Sequence, residues 1–191
     1  LADEALCVSV SDHALDPDGE HAGAGGRDLY SSGDVGIDLA PSPLRRGVRT
    51  DMPFEYFEVT AEVGIRAWGS TLSEAFAEAA RALFELMVDT RSVRPQKTLS
   101  LELSAESLEV LVADWLNRLI LERDRTGCVF SEFHVAVTPH KQGFTLIGEI
   151  CGEPLDRARH DPRIDVKAVT YNHLRVLQQP DRVQVECVLD I

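Results

Sequence analysis

The sequence predicts an α+β domain over residues 52–191, with two helices packed on a mainly antiparallel sheet, and three observations lead there. Two stretches carry apolar residues at helical spacing behind good capping residues. Everything from about residue 129 onward alternates with period two between turns. The order of elements is two strands, a helix, a strand, a helix and then a run of strands, which lacks the regular strand–helix alternation of a doubly wound fold. No internal repeat occurs, and nothing indicates a second domain beyond residue 52.

The elements follow in order. Phe54, Tyr56 and Glu58 alternate with Glu55, Phe57 and Val59; the pattern breaks near Glu62, and residues 63–68 read as a second extended segment closed by Gly69. Thr71 with Glu74 three residues later is a capping box. Behind it Ala75, Phe76, Ala79, Ala80, Leu83, Phe84 and Met87 recur at helical spacing, so the first helix should run to about Val88 and bury that stripe. Leu99, Leu101 and Leu103 alternate as a strand. Ser104 is the expected cap of a second helix, whose Leu108, Leu111, Val112, Trp115, Leu116, Leu119 and Ile120 form one broad apolar face. Charge and Gly127 end that helix. Strands are then expected at about 129–137, 144–151, 164–171, 174–178 and 182–191.

Residues 1–51 differ from the rest. They hold one aromatic, Tyr30, amid Gly, Asp and Ser, and no apolar period survives. So little apolar surface cannot offset the entropy of ordering, and a disordered leader is expected. The first methionine is Met52, where regular pattern begins, and a start there would leave 140 residues. The leader is therefore expected to be an over-extended start or a dispensable tail.

The net charge of −13 divides into −6 for residues 1–51 and −7 for the remainder. Such a protein repels nucleic acid phosphates, so direct nucleic-acid binding is not expected and any role in RNA chemistry would pass through a protein partner. No apolar run reaches the length of a membrane span, and no signal peptide opens the chain, which gives a cytoplasmic expectation. Cys7, Cys128, Cys151 and Cys187 form no C-x-x-C pair; the last three fall in strand-like segments and read as reduced core thiols.

Enzyme motifs are absent: there is no glycine-rich phosphate loop, no G-x-S-x-G and no H-E-x-x-H. The protein is read as a non-enzyme. The informative acids lie at the chain end. Val183, Val185, Cys187, Leu189 and Ile191 alternate with more polar neighbours, so the last residue is held in a strand. Asp190 and the α-carboxylate of Ile191 then place two hard oxygen donors one residue apart, either as a solvated terminus or as a cation site. Glu62, where the first strand pattern breaks, is either a turn-capping group or a third ligand. Three acids so placed repel one another unless a cation intervenes, and all-oxygen donors favour Ca²⁺, with Mg²⁺ second. Lys167 on an outward face is a surface lysine, an ion-pair partner or a group offered to another molecule. His160, in the loop 156–162, is a solvated loop residue or a functional one.

These residues fall within a resemblance. The stretch from Met52-Pro53-Phe54 through Val59-Thr60-Ala61-Glu62-Val63-Gly64, the helix opening Thr71-Leu72-Ser73-Glu74, the segment Phe84-Glu85-Leu86-Met87, the run Gly152-Glu153-Pro154 ahead of His160, Val166-Lys167-Ala168-Val169-Thr170-Tyr171 and the closing Val188-Leu189-Asp190-Ile191 together resemble the archease family. The resemblance implies a single archease-like domain, and a protein that activates an RtcB-type RNA-splicing ligase by promoting its GTP-dependent guanylylation and multiple turnover. It implies metal ligands at Glu62, Asp190 and Ile191, while Lys167 and His160 stand, from the residues alone, as candidate partner-activating groups. This chain departs from the family pattern in three places: Val59 stands where the family has His, Glu62 where it has Asp, and Asn172-His173 where it often has His-Gly. Two other readings remain, a metal-dependent hydrolase using Glu62, Asp190 and His160, and a general chaperone or binding module with a structural metal.

Deleting residues 1–51 is expected to leave the thermal melt within a few degrees of the full chain, since no core pattern is lost. A larger drop would show that this segment packs on the domain.

Overall fold

The period-two segments pair into two antiparallel sheets, and the two helical stripes fill the space between them. The computed structural model describes residues 53–59 and 62–191. The expectations for residues 1–51, Cys7 among them, lie outside the described residues.

The first sheet contains β1 (Phe54–Val59), β2 (Glu62–Gly69), β6 (Ala168–Gln179) and β7 (Arg182–Asp190), in the order β1-β2-β7-β6. The second contains β3 (Lys97–Ala105), β4 (Cys128–His140) and β5 (Gly143–Pro154), in the order β3-β5-β4. All neighbouring strands run antiparallel. The α+β class holds, with two sheets where the sequence suggests one. Sequence alternation tells which strands have a buried face but not which strands share a sheet.

Helix α1 (Leu72–Met87) starts at Thr71, whose side-chain oxygen accepts from the Glu74 N–H at 3.1 Å, and the Glu74 carboxylate in turn accepts from the Ser70 N–H at 2.7 Å. It packs on β2 in one sheet and on β4 in the other. Burial on two sides explains its composition: Ala75, Ala79, Ala80 and Ala82 allow close approach, while Phe76, Leu83 and Phe84 fill the space. The Phe84 ring lies 5.4 Å from both Phe130 and Phe133 on β4. Truncating a ring so placed costs about 3–5 kcal/mol. Helix α2 (Leu108–Thr126) packs on β6, β3 and β5, and its indole donor Trp115 Nε1 reaches the Phe76 carbonyl of α1 at 3.3 Å. Its cap is Ser107, whose hydroxyl accepts from the Val110 N–H, and not Ser104, which belongs to β3 and bonds Thr145 across the sheet at 3.1 Å. Gly127 ends α2 in the left-handed conformation, φ 64°, as its position predicts.

The strands expected at 164–171 and 174–178 are one strand. β6 pairs with β7 from Ala168 to Thr170, bulges over residues 171–174 and resumes at Arg175 opposite Glu186. His173, at φ 54°, occupies the left-handed region within that bulge. Glycine takes this conformation without a Cβ penalty, which accounts for the glycine that the family resemblance implies there. Residues 164–167 precede the strand and are tied down by backbone bonds from Ile164 N to Leu86 O and from Lys167 N to Asp190 O. A third, four-residue helix, α3 (Arg157–His160), was not expected from the sequence.

Cys128, Cys151 and Cys187 are buried and free, as core thiols should be, and burial pushes the Cys187 thiol up to about 12. Among the described residues, no helix is long and apolar enough to cross a membrane.

Gly152 of β5 faces the β4 backbone with no room for a side chain. A Cβ there would meet the Val129 carbonyl and the Phe130 Cα, both backbone atoms that cannot swing aside. Gly152→Ala should therefore destabilise the fold by about 2–4 kcal/mol, read from chemical denaturation. A change under half a kcal/mol would show that β4 can shift freely.

Candidate functional site at the end of the last strand

β7 is an interior strand, and this fixes the chain end. Val183, Val185, Cys187 and Leu189 all face the core at 7% exposure or less. On one side β2 pairs with it through Val63 opposite Leu189, so the next position along the ladder puts Glu62 beside Asp190. On the other side Ala168 of β6 lies opposite Asp190, and the Lys167 N–H donates to the Asp190 carbonyl at 2.8 Å. The Ile191 side chain packs against the core cluster. Three of the residues expected to act together, Glu62, Asp190 and Ile191, thus lie at one end of one sheet, with Lys167 at the same end.

What anchors β6 there is Asn117 on α2. Its side-chain carbonyl accepts from the Val169 N–H at 2.8 Å and its amide donates to the Val169 carbonyl at 3.2 Å. That two-way bond sets the depth at which Lys167 and Ala168 leave the core. Asp190 and Lys167 are exposed and Glu62 is half-buried. Among the described residues none of the three makes an ion pair. Among the same residues no group of three or more His, Cys, Asp or Glu side chains is close enough to hold a metal ion. The donor set expected from the sequence has two side-chain carboxylates, and its third carboxylate is the main-chain one of Ile191. Val59 closes the β1–β2 hairpin opposite Glu62, where the family resemblance has a histidine.

His160 requires a correction. It is not a solvated loop residue: its side chain is 0% exposed. Its Nδ1 accepts from the Asp156 N–H at 3.0 Å, so the ring proton sits on Nε2 and points at Glu153 Oε1, 3.2 Å away. Its carbonyl accepts from the Asp89 N–H. Local turn chemistry buries the ring: Asp156 caps α3 by accepting from the Ala158 N–H, and Asp161 ends it in the left-handed conformation, folding residue 160 inward.

The group His160 serves is one that sequence reading passed over. Glu153 is buried, 3% exposed, one residue before the end of β5. Arg159 grips it with both nitrogens, at 2.6 and 2.8 Å, and the Arg94 N–H donates to it at 2.6 Å. The Arg159 guanidinium, aided by the Arg94 N–H and the His160 ring, outweighs burial and draws the Glu153 carboxyl down to about 2. Arg159 also donates to the Ser92 carbonyl at 3.1 Å. The network ties the segment after β5 to the turn after α1. In the sequence, Glu153 appears only within the run Gly152-Glu153-Pro154, and no spacing rule joins it to Arg94, 59 residues away.

Comparison with known proteins shows what the chain is similar to. Residues 54–191 match the Archease protein family (MTH1598/TM1083). Protein archease of Thermococcus gammatolerans is 40% identical over 128 residues, covering 67% of this chain and 90% of that protein. Protein archease of Methanopyrus kandleri is 35% identical over 140 residues, covering 73% of this chain and 100% of the relative. The solution structure of protein 1598 from Methanobacterium thermoautotrophicum superposes with a TM-score of 0.64 at 31% identity, over 73% of this chain and 99% of that one.

Because Glu153 titrates lower in the folded chain than the usual 4.5, it contributes stability that is complete above that value and is lost as pH falls from 4.5 toward 2. Denaturant melts at pH 7, 4 and 3 should show Glu153→Gln less stable than the parent at pH 7 and less sensitive to acid. Parallel loss of stability in both proteins would remove Glu153 as the source of that acid sensitivity.

Proposed function

Since the chain belongs to the archease family, we propose that it is an accessory protein that activates an RtcB-type RNA-splicing ligase, promoting its GTP-dependent guanylylation and repeated turnover in tRNA splicing or RNA repair. In this reading it is not itself the catalyst. The observation that carries it is the juxtaposition at one sheet end of Glu62, Asp190, the chain terminus and Lys167, none of the three side-chain groups neutralised within the described fold. Two exposed or half-exposed acids on neighbouring strands repel each other, and a divalent cation relieves that repulsion. Hard oxygen donors suit Ca²⁺, with Mg²⁺ second; Glu62, one methylene longer than the family's aspartate, fits the more tolerant geometry of Ca²⁺ better. Glu62, Asp190 and the Ile191 carboxylate would hold the ion, which would supply fixed positive charge at the surface offered to the ligase.

Lys167 is the group presented to the partner. Its backbone is fixed by Asp190 and, two residues on, by Asn117, while its ammonium is left to the outside. His160 acts at one remove, by holding Glu153 and the segment that leads to Lys167. The net charge of −13 supports contact with protein rather than RNA.

The test is to mix the purified protein with the ligase of its own organism, GTP and labelled RNA. Faster guanylylation and multiple turnover are expected; no stimulation would overturn the reading. Lys167→Ala should lower stimulation severalfold with an unchanged melt, because an exposed lysine contributes little to folding. Asp190→Asn and a one-residue extension after Ile191 should each weaken Ca²⁺ binding roughly ten- to a hundredfold by calorimetry, about 1–3 kcal/mol per lost ligand. Unaltered binding in the extended protein would remove Ile191 from the site.

A further inference from the structure

A cavity of about 540 Å³ opens between the C-terminal ends of α1 and α2 and residues 155–165. That volume falls in the range of small-molecule sites. Its floor is apolar, formed by Met87, Val88, Val129 and Ile164, and three arginines, Arg123, Arg157 and Arg163, line it. Asp124 and Asp165 line it too. Three guanidinium groups against two carboxylates reverse the sign of a chain in which 32 acids face 19 basic residues.

The arginines differ in what they can offer. Arg163 is committed, donating to the Glu85 carbonyl at 2.9 Å and to its carboxylate at 3.3 Å. Arg123 is fixed in the wall, its side chain 17% exposed, and it bonds Asp124 at 2.7 and 2.8 Å and Asp165 at 3.2 Å, carboxylates that are themselves 58% and 77% exposed. Ion pairs to such exposed carboxylates contribute little and exchange readily. One Arg123 nitrogen faces the Met87 thioether at 2.9 Å, a weak acceptor for a strong donor. Arg157 has no ion pair among the described residues. Arg157 is thus available beside an apolar floor, and an incoming oxyanion can compete with the exposed Asp124 and Asp165 for Arg123, a combination that takes an oxyanion and shelters what it is attached to. The overall charge of −13 repels a polyanion far more than a small one.

We propose that this cavity binds a small organic anion, with an oxyanion head against Arg123 and Arg157 and a compact apolar body on Met87, Val88, Val129 and Ile164. The head can belong to a free acid or to the C-terminal residue of a peptide. The inference is independent of the ligase reading.

The test is an NMR titration of the full chain with hexanoate, with N-acetyl-leucine as a peptide-end mimic, and with hexanol as the neutral control. Both anions should shift the methyl signals of Met87, Val129 and Ile164, and hexanol should bind about tenfold more weakly or worse. N-acetyl-leucine binding more tightly than hexanoate assigns a chain end, and the reverse order a free acid. Arg157→Gln, at an exposed residue without an ion pair among the described residues, should weaken both anions about tenfold and leave hexanol and the melt unchanged. Equal binding of hexanol and hexanoate, no shift at the three methyls, or unchanged anion binding in both Arg157→Gln and Arg123→Gln would overturn the proposal.

Discussion

Placement of the last strand in the interior of its sheet is the constraint from which the rest follows. Paired on both sides, with every inward side chain buried, β7 cannot slip by one residue without turning Val183, Val185, Cys187 and Leu189 out to solvent. Its register therefore sets where Asp190 and Ile191 lie. Glu62 comes beside Asp190 because β2 is locked to β7, and Lys167 arrives because β6 is locked to β7 and to Asn117. A terminal residue is commonly the least ordered part of a domain. Here the packing of Ile191 and the bond to the Asp190 carbonyl make it a fixed point.

The buried Glu153 network is the second fixed point. Removing a carboxylate from water is costly, and that cost is offset only when its lone pairs are filled by well-placed donors. Arg159, Arg94 and His160 supply them from three directions. The pattern is demanding in geometry more than it is rich in stability. It specifies one path for residues 154–167 over the ends of the helices, and that path both delivers Lys167 and walls the arginine-lined cavity. The bulge at 171–174 is a further irregularity downstream, and the left-handed His173 within it shows that the chain accepts local strain there.

Electrostatics divides the surface by role. The chain is strongly acidic, which discourages contact with nucleic acid, yet its one lysine at the sheet end stands without an ion-pair partner among the described residues. Most other arginines are spoken for: Arg66 bridges Glu55 and Glu186, and Arg118 and Arg125 both hold the buried Glu122. Lys167 and Arg157 make no ion pair among the described residues.

The sequence by itself determined the elements. Period two and period 3.6 located every long strand and both long helices, Thr71 and Gly127 marked helix ends, and the motifs running from Phe54 to Ile191 identified the family. Glu62, Asp190, Ile191 and Lys167 were legible as candidates because a terminal strand, a pattern break and an outward lysine are local features. Local features do not report neighbours. Only the tertiary structure decided that there are two sheets with helices between them, that Ser107 and not Ser104 caps α2, and that residues 168–179 form one bulged strand. The same holds for His160: nothing in its flanking residues shows whether a loop folds inward, and its burial depends on Glu153 and Asp89 meeting it from other elements. Periodicity records how each segment partitions between core and water, whereas pairing, register and buried charge networks arise from contacts between residues tens of positions apart, which no window along the chain contains.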